Sequence, residues 1–154
     1  MEAEVGEVPK PNGKTIVESA IALTQPDEAM QFTKATGIDT FAVALGSVHG
    51  LTTKQISLDL DRLGEIRDRV STPLVLHGSS GVSDSDIREG VAKGLCKVNV
   101  ATQLNQAFTN AVRDVLSENG ELVDPRKYLG PARAAQMEIV RERIHFFGAS
   151  RKAQ

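Results

Sequence analysis

His49 and His77 close two apolar runs, TFAVALGSVHG and TPLVLHGSSG, and imidazoles at such places are candidate metal ligands. A neutral imidazole is a good zinc ligand, and a catalytic zinc takes three protein ligands and keeps one position open. His49 and His77 supply two of the three. The alternative is that each ring hydrogen-bonds a nearby backbone group, and two histidines by themselves fit either reading. Behind His77, Gly78-Ser79-Ser80-Gly81 precedes a helical pattern. Its amides and hydroxyls suit a phosphate, although a glycine-rich turn with a helix cap has the same composition. Asn99 and Thr102, at the start of another helix, can add side-chain donors. Glu2 and Glu4 share one face of a strand, so either can approach the metal rim. Cys96 has no neighbouring base in sequence and reads as a buried packing residue. His145 reads as a surface or packing residue of the last helix.

Alternating elements must position these groups. Residues 2–6 read as a strand, followed by a Pro/Asn/Gly loop over 9–13, and residues 14–23 are ambiguous. A helix is expected over 26–36, with proline in its first turn, Asp27 and Glu28 at its positive end and Gly37 as its stop. Residues 40–45 form a strand-length apolar run. Leu60, Leu63, Ile66 and Val70 recur at helical spacing, predicting a helix over 59–70. Residues 73–76 make a short buried strand. Ser83 and Asp86 form a cap pair for a short helix ending near Gly94, with Asp where Glu or Gln is usual. A fourth strand is expected over 96–100. A further helix should turn Leu104, Phe108, Ala111, Val112 and Val115 inward. The last should begin near Pro131, bury Ala134, Met137, Val140, Ile144 and Phe147, and end at Gly148.

This βαβαβαβα order, with near-continuous apolar strands, is that of an α/β protein built on a parallel sheet. An open doubly wound sheet and part of an eight-stranded barrel both fit. A whole barrel takes about 250 residues, and four repeats are half of eight. In either architecture function collects at the carboxyl ends of the strands, where both histidines fall.

The chain has 154 residues and a formal net charge of -2, so nothing electrostatic favours nucleic acid or an anionic membrane. No apolar run nears the roughly 18 residues of a membrane span. One cysteine excludes an intramolecular disulfide. The acidic start, Met1-Glu2-Ala3-Glu4, lacks the features of a signal peptide, and the cytoplasm is the expected compartment.

The stretches MEAEVG, FAVALGSVHG, TPLVLHGSSGVSDSDI, GLCKVNVAT, DPRKYLGPAR and FFGAS, in this order, resemble the C-terminal part of class II, metal-dependent ketose-bisphosphate aldolases. The resemblance spans nearly the whole chain. It implies that residues 1–154 form about four C-terminal βα units of a TIM (β/α)8 barrel whose N-terminal half is absent. It also implies zinc-dependent, reversible cleavage of a tagatose or fructose 1,6-bisphosphate to dihydroxyacetone phosphate and glyceraldehyde 3-phosphate. Carried over, His49 and His77 are the second and third zinc ligands. Gly50, Gly78, Ser79 and Ser80 line the ketose phosphate, and Asn99, Val100, Ala101 and Thr102 line its other side. The form Asn-Val-Ala-Thr leans towards the tagatose branch, since many fructose enzymes carry Asp at the third place.

The family's Asp-His pair, source of the proton-transfer acid and the first zinc ligand, belongs to an upstream segment, and this chain has no Asp-His dipeptide. GEVPKPNGKT stands where the family often has a mobile acidic loop, so no catalytic role falls on Glu7 or Glu18. The chain alone is therefore expected to turn over little, and to self-associate as a homo-oligomer or pair with an N-terminal half. A non-catalytic phosphosugar-binding or assembly subunit of an aldolase complex is the alternative.

Overall fold

The computed structural model describes residues 1–10 and 22–152, so most of the ambiguous stretch and of the expected Pro/Asn/Gly loop lies outside the described residues. The chain divides into two compact units, Met1–Val100 and Ala101–Gln154.

In the first unit, strands and helices alternate: β1 (Glu2–Val5), α1 (Pro26–Thr36), β2 (Thr40–Val43), α2 (Leu60–Arg69), β3 (Leu74–Leu76), a 3-10 turn (Ser79–Gly81), α3 (Asp84–Ala92) and β4 (Leu95–Val98). The strands pair in parallel in the order β1-β2-β3-β4. A doubly wound sheet starts in the middle and reverses its strand order, whereas this one runs on without reversal, as barrel strands do.

Register sorts the side chains into two faces. Phe41, Leu74 and Leu95 stand abreast on one, with Val43, Leu76 and Val98 in the next row but one. Phe41 meets Phe32 of α1 at a centroid distance of 5.9 Å. Phe41, Leu63, Ile66, Leu74 and Leu76 are all fully buried, as are Ala42 and Val75 of the opposite face. The other face carries Glu4, Ala42, Val75 and Lys97 in one row, with Glu2 and Thr40 paired two residues earlier.

Local signals set the helix ends. Pro26 occupies the first turn of α1, and Gly37 caps it in the left-handed region at φ 62°. Asp59 caps α2 by accepting from the Arg62 amide. Ser83 caps α3 by accepting from the Asp86 amide, so the expected pair is present. Asp86 also reaches beyond its helix. Its Oδ1 accepts from the Ser83 hydroxyl at 2.6 Å, and its Oδ2 accepts from the Leu58 amide at 2.8 Å, tying the segment before α2 to α3.

Asp86→Ala is expected to cost about 1–2 kcal/mol near neutral pH, measured by urea denaturation. The Ser83 hydroxyl first, and the Leu58 amide with it, hold the Asp86 carboxyl below its ordinary value of 3.8. The unfolded chain thus binds this proton more readily than the folded one. The stabilisation is complete above the ordinary value and fades as pH falls through the lower folded value. The gap between wild type and Asp86→Ala should close in acid.

Three expectations fail. Cys96 is exposed, not buried. The register slips between the Leu74–Leu95 and Val75–Lys97 pairs, leaving Cys96 as the extra, unopposed residue of a bulge. In the second unit, α4 (Thr102–Glu118) is followed by α5 (Pro125–Phe146), which starts six residues before Pro131. Asp124 accepts from the Arg126 amide, and Pro125 fits the first turn; Pro131 then lies inside the helix. Met137, Val140 and Ile144 are exposed, and Ala132 is the residue of α5 that is buried. Within this unit α5 packs on α4, and one partner helix cannot cover a wide apolar stripe. None of the expected inner residues of α4 is fully buried.

Candidate metal and phosphate site

β1, β2 and β3 each lead, at the carboxyl end, into a loop that touches the next. The His49 amide donates to the Pro9 carbonyl at 2.8 Å, joining the loop after β2 to the loop after β1. Gly78 packs so closely that a Cβ there would lie 2.9 Å from the Val48 carbonyl carbon and from Val8 Cγ1. Its backbone is left-handed, at φ 67°. Farther on, the amides of Gln55 and Ile56 both donate to the Gly81 carbonyl at 2.9 Å. Lys54 pairs with Asp84 as well. The segment carrying His49 is thus held against the turn that follows His77.

This stacking brings the two rings together. The centroids of His49 and His77 are 6.1 Å apart, with their planes inclined by 41°. Burial first, and then the charge of His77, hold the His49 imidazole below its ordinary value of 6.5, against the pull of Glu4. His49 therefore presents a lone pair at neutral pH, the form in which imidazole binds a metal.

Carboxylates hold His77 on both sides. Its Nε2 hydrogen-bonds Glu2 Oε1 at 3.0 Å, and its Nδ1 lies 2.7 Å from Glu4 Oε2. Two strand spacings, about 9.6 Å, separate β1 from β3. Between them β2 offers Ala42, with Ala44 just past its end, and these small side chains fill little of the gap. Glu2 is anchored further: its Oε2 accepts from Lys97 Nζ at 2.9 Å and from the Thr40 hydroxyl at 3.1 Å. Lys97 chiefly, then His77, lower the Glu2 carboxyl to about 2, so it is ionised at any physiological pH.

Zinc–nitrogen bonds of about 2.1 Å place a bound ring's centre ~3.2 Å from the metal, so two rings ligating at a tetrahedral angle stand ~5.2 Å apart. The observed 6.1 Å is about 1 Å wider than that, so the rings are neighbours short of ligating separation, while their donors suit zinc. Among the described residues, however, no group of three His, Cys, Asp or Glu side chains converges as a ligand set. The imidazole pair fits a metal as part of a set rather than as the whole.

The expected phosphate residues divide between the units. In the first, Gly50 is left-handed at φ 75° with open space where a Cβ would stand. The first amides of the 3-10 turn, those of Ser79 and Ser80, have no partner inside it. The Ser79 hydroxyl donates to the Asn99 carbonyl at 2.6 Å, so its proton braces the loop. The Asn99 amide donates to the Leu76 carbonyl at 3.0 Å, which seats Asn99 beside the end of β3. Val100 ends the first unit; Ala101 and Thr102 open the second, Thr102 as the first residue of α4. His145 lies in α5 of the second unit.

Sequence reading missed Lys97 and Ser47. Lys97 shares strand parity with Asn99, the signal that could have marked it. The Ser47 hydroxyl is buried and has no hydrogen-bond partner among the described residues. A separate cavity of about 380 Å³, lined by Leu23, Leu45, Gly46, Gln55, Ile56, Ser57 and Asp59, holds none of the expected site residues.

An unreversed parallel sheet with its polar groups gathered at the strand ends is the arrangement of a (β/α)8 barrel, here a partial one. The chain belongs to the class-II fructose-bisphosphate aldolase family, whose model matches residues 1–152. It is similar to the YdjI aldolase of Escherichia coli K12, with 35% identity and a TM-score of 0.78 over 99% of this chain and 50% of that one. A putative fructose-1,6-bisphosphate aldolase from Coccidioides immitis matches at 28% identity and a TM-score of 0.81, over 98% of this chain and 53% of that one. Fructose-bisphosphate aldolase from Campylobacter jejuni, at 22% identity and a TM-score of 0.68 over 82% of this chain and 45% of that one, shares the fold. The chain spans about half the length of these solved structures. Among the described residues no helix is long and apolar enough to cross a membrane.

Proposed function

We propose that this chain supplies the C-terminal half of a zinc-dependent aldolase site, cleaving a tagatose or fructose 1,6-bisphosphate reversibly to dihydroxyacetone phosphate and glyceraldehyde 3-phosphate. The observation that carries this reading is the approach of His49 and His77 to 6.1 Å in the loops that follow neighbouring strands. When bound, zinc would supply Lewis-acid polarisation of the ketose oxygens. His49, kept neutral, and His77, oriented by carboxylates, would hold the metal. The amides of Ser79 and Ser80, with Gly50 and Gly78 allowing close approach, would fix one substrate phosphate and hold the reacting carbon in place. Asn99 would add a donor, and Val100, Ala101 and Thr102 are proposed for the phosphate on the family resemblance alone. No catalytic acid is assigned within the chain.

The same reading holds that the isolated polypeptide binds zinc weakly and turns over little, since two of the three expected imidazoles are present. A second copy, or a chain supplying the remaining strands, would complete the barrel. Zinc titration combined with an aldol-cleavage assay, with and without a supplied N-terminal half, tests it. Metal-dependent phosphosugar binding, with cleavage restored by the added half, is the expected result. Phosphosugar binding indifferent to a chelator would point instead to a non-catalytic binding subunit. Full turnover by the isolated monomer would defeat the half-site reading.

A further inference from the structure

His77 stands between two carboxylates, but a neutral imidazole has only one N–H to give. One carboxylate accepts that proton, and the other faces the ring's lone pair. Which does which decides the nitrogen that can bind a metal.

The two acids are not equivalent. Glu2 is fixed before it meets the ring, by Lys97 at 2.9 Å and the Thr40 hydroxyl at 3.1 Å. Glu4 has no hydrogen-bond partner of that kind among the described residues; its close polar contact is with His77 itself. With its charge unshared, Glu4 is the stronger acceptor atom for atom. Holding it in place, however, costs side-chain freedom of about 1–2 kcal/mol that Glu2 has already given up to Lys97 and Thr40. Nε2 meets Glu2 as a hydrogen bond at 3.0 Å, whereas Nδ1 and Glu4 Oε2, 2.7 Å apart, are close without forming one. A lone pair facing the tethered Glu2 would forfeit that bond.

We infer that Glu2, held by Lys97 and Thr40, is the positioning residue that takes the Nε2 proton of His77 and so leaves Nδ1 as the metal-binding nitrogen. A carboxylate behind a ligating histidine fixes both its tautomer and its ring orientation, and loss of such a partner typically weakens metal affinity by about 10–100-fold. The metal part of this inference rests on the zinc reading above; the tautomer part does not.

The experiment is nitrogen-15 NMR of the imidazoles in the metal-free 154-residue chain, in buffer about two pH units above the ordinary histidine value. The chain has three histidines, so His77→Gln assigns the signal by its disappearance. The wild type should show Nε2 protonated and Nδ1 bare. Glu2→Ala should shift this signal towards a mixture of tautomers, whereas Glu4→Ala should leave it in place. Should Glu2→Ala fail to fold, Lys97→Met, which releases the tether at an exposed position, should move the signal the same way. A protonated Nδ1 in the wild type, a signal unmoved by losing Glu2 or Lys97, or one moved by Glu4→Ala overturns the inference. Zinc titration is the second readout, with affinity expected to drop about 10–100-fold in Glu2→Ala. If the wild type binds no zinc while the tautomer result stands, the metal reading fails and the positioning role survives.

Discussion

Gly78→Val should destabilise the chain by about 3–5 kcal/mol, read by urea or thermal denaturation followed by circular dichroism. Two costs coincide at this residue. A β-branched side chain is forced into the left-handed region at φ 67°, and its Cβ is driven to 2.9 Å from the Val48 carbonyl carbon. The obstruction is backbone, so no rotamer change relieves it. Moving Val48 means moving the loop that carries His49. With a domain's whole stability at about 5–15 kcal/mol, such a loss is a large share of it. Gly50→Ala separates the two costs. Gly50 is also left-handed, at φ 75°, but has open space around it. It should lose only the conformational part, about 1–2 kcal/mol. Equal losses at the two glycines would show that the close approach at Gly78 carries no weight.

His49→Ala and His77→Ala should each remove measurable zinc uptake, on the reading proposed above. Structural zinc sites bind with about 10–16 kcal/mol over four ligands, so one ligand is worth ~3 kcal/mol and its loss exceeds a hundredfold in affinity. A chain that starts with an incomplete set has no reserve. The double variant should therefore look like either single one, because the two rings act on one ion. His145→Ala, in the other unit, is the control and should bind as the wild type does. Zinc titration against a chromophoric chelator reads the four variants against the wild type. Undiminished uptake in either single variant would remove that ring from the proposed set.

Features set by local chemistry were legible before any coordinates. The bounds of α1 matched because Pro26, Asp27, Glu28 and Gly37 act within one or two turns of themselves. The Ser83–Asp86 cap was readable for the same reason. The start of α5 was misplaced because two prolines competed for the first turn, and the deciding group was the cap at Asp124. Cys96 went wrong because a bulge depends on the partner strand, which periodicity does not contain. Register sets Ala44, not His49, abreast of His77; the approach of the two histidines comes from the loop after β2 packing against Gly78, which strand position alone does not contain. The Glu2–His77 and Glu2–Lys97 contacts bridge 75 and 95 residues of sequence, and only register across the sheet brings them together. Glu2 and Glu4 could be put on one face from parity; which neighbour each would meet could not.

Ala42, with Ala44 just past its end, gives β2 a role that its backbone pairing does not reveal. A central strand ordinarily insulates its two neighbours, because its side chains fill the space above it. Here the methyl groups lie low enough to act as a window, and a charge placed on the first strand is felt at the third. The smallest residues of this sheet thus govern how far its polar groups can communicate, although they carry no chemistry themselves.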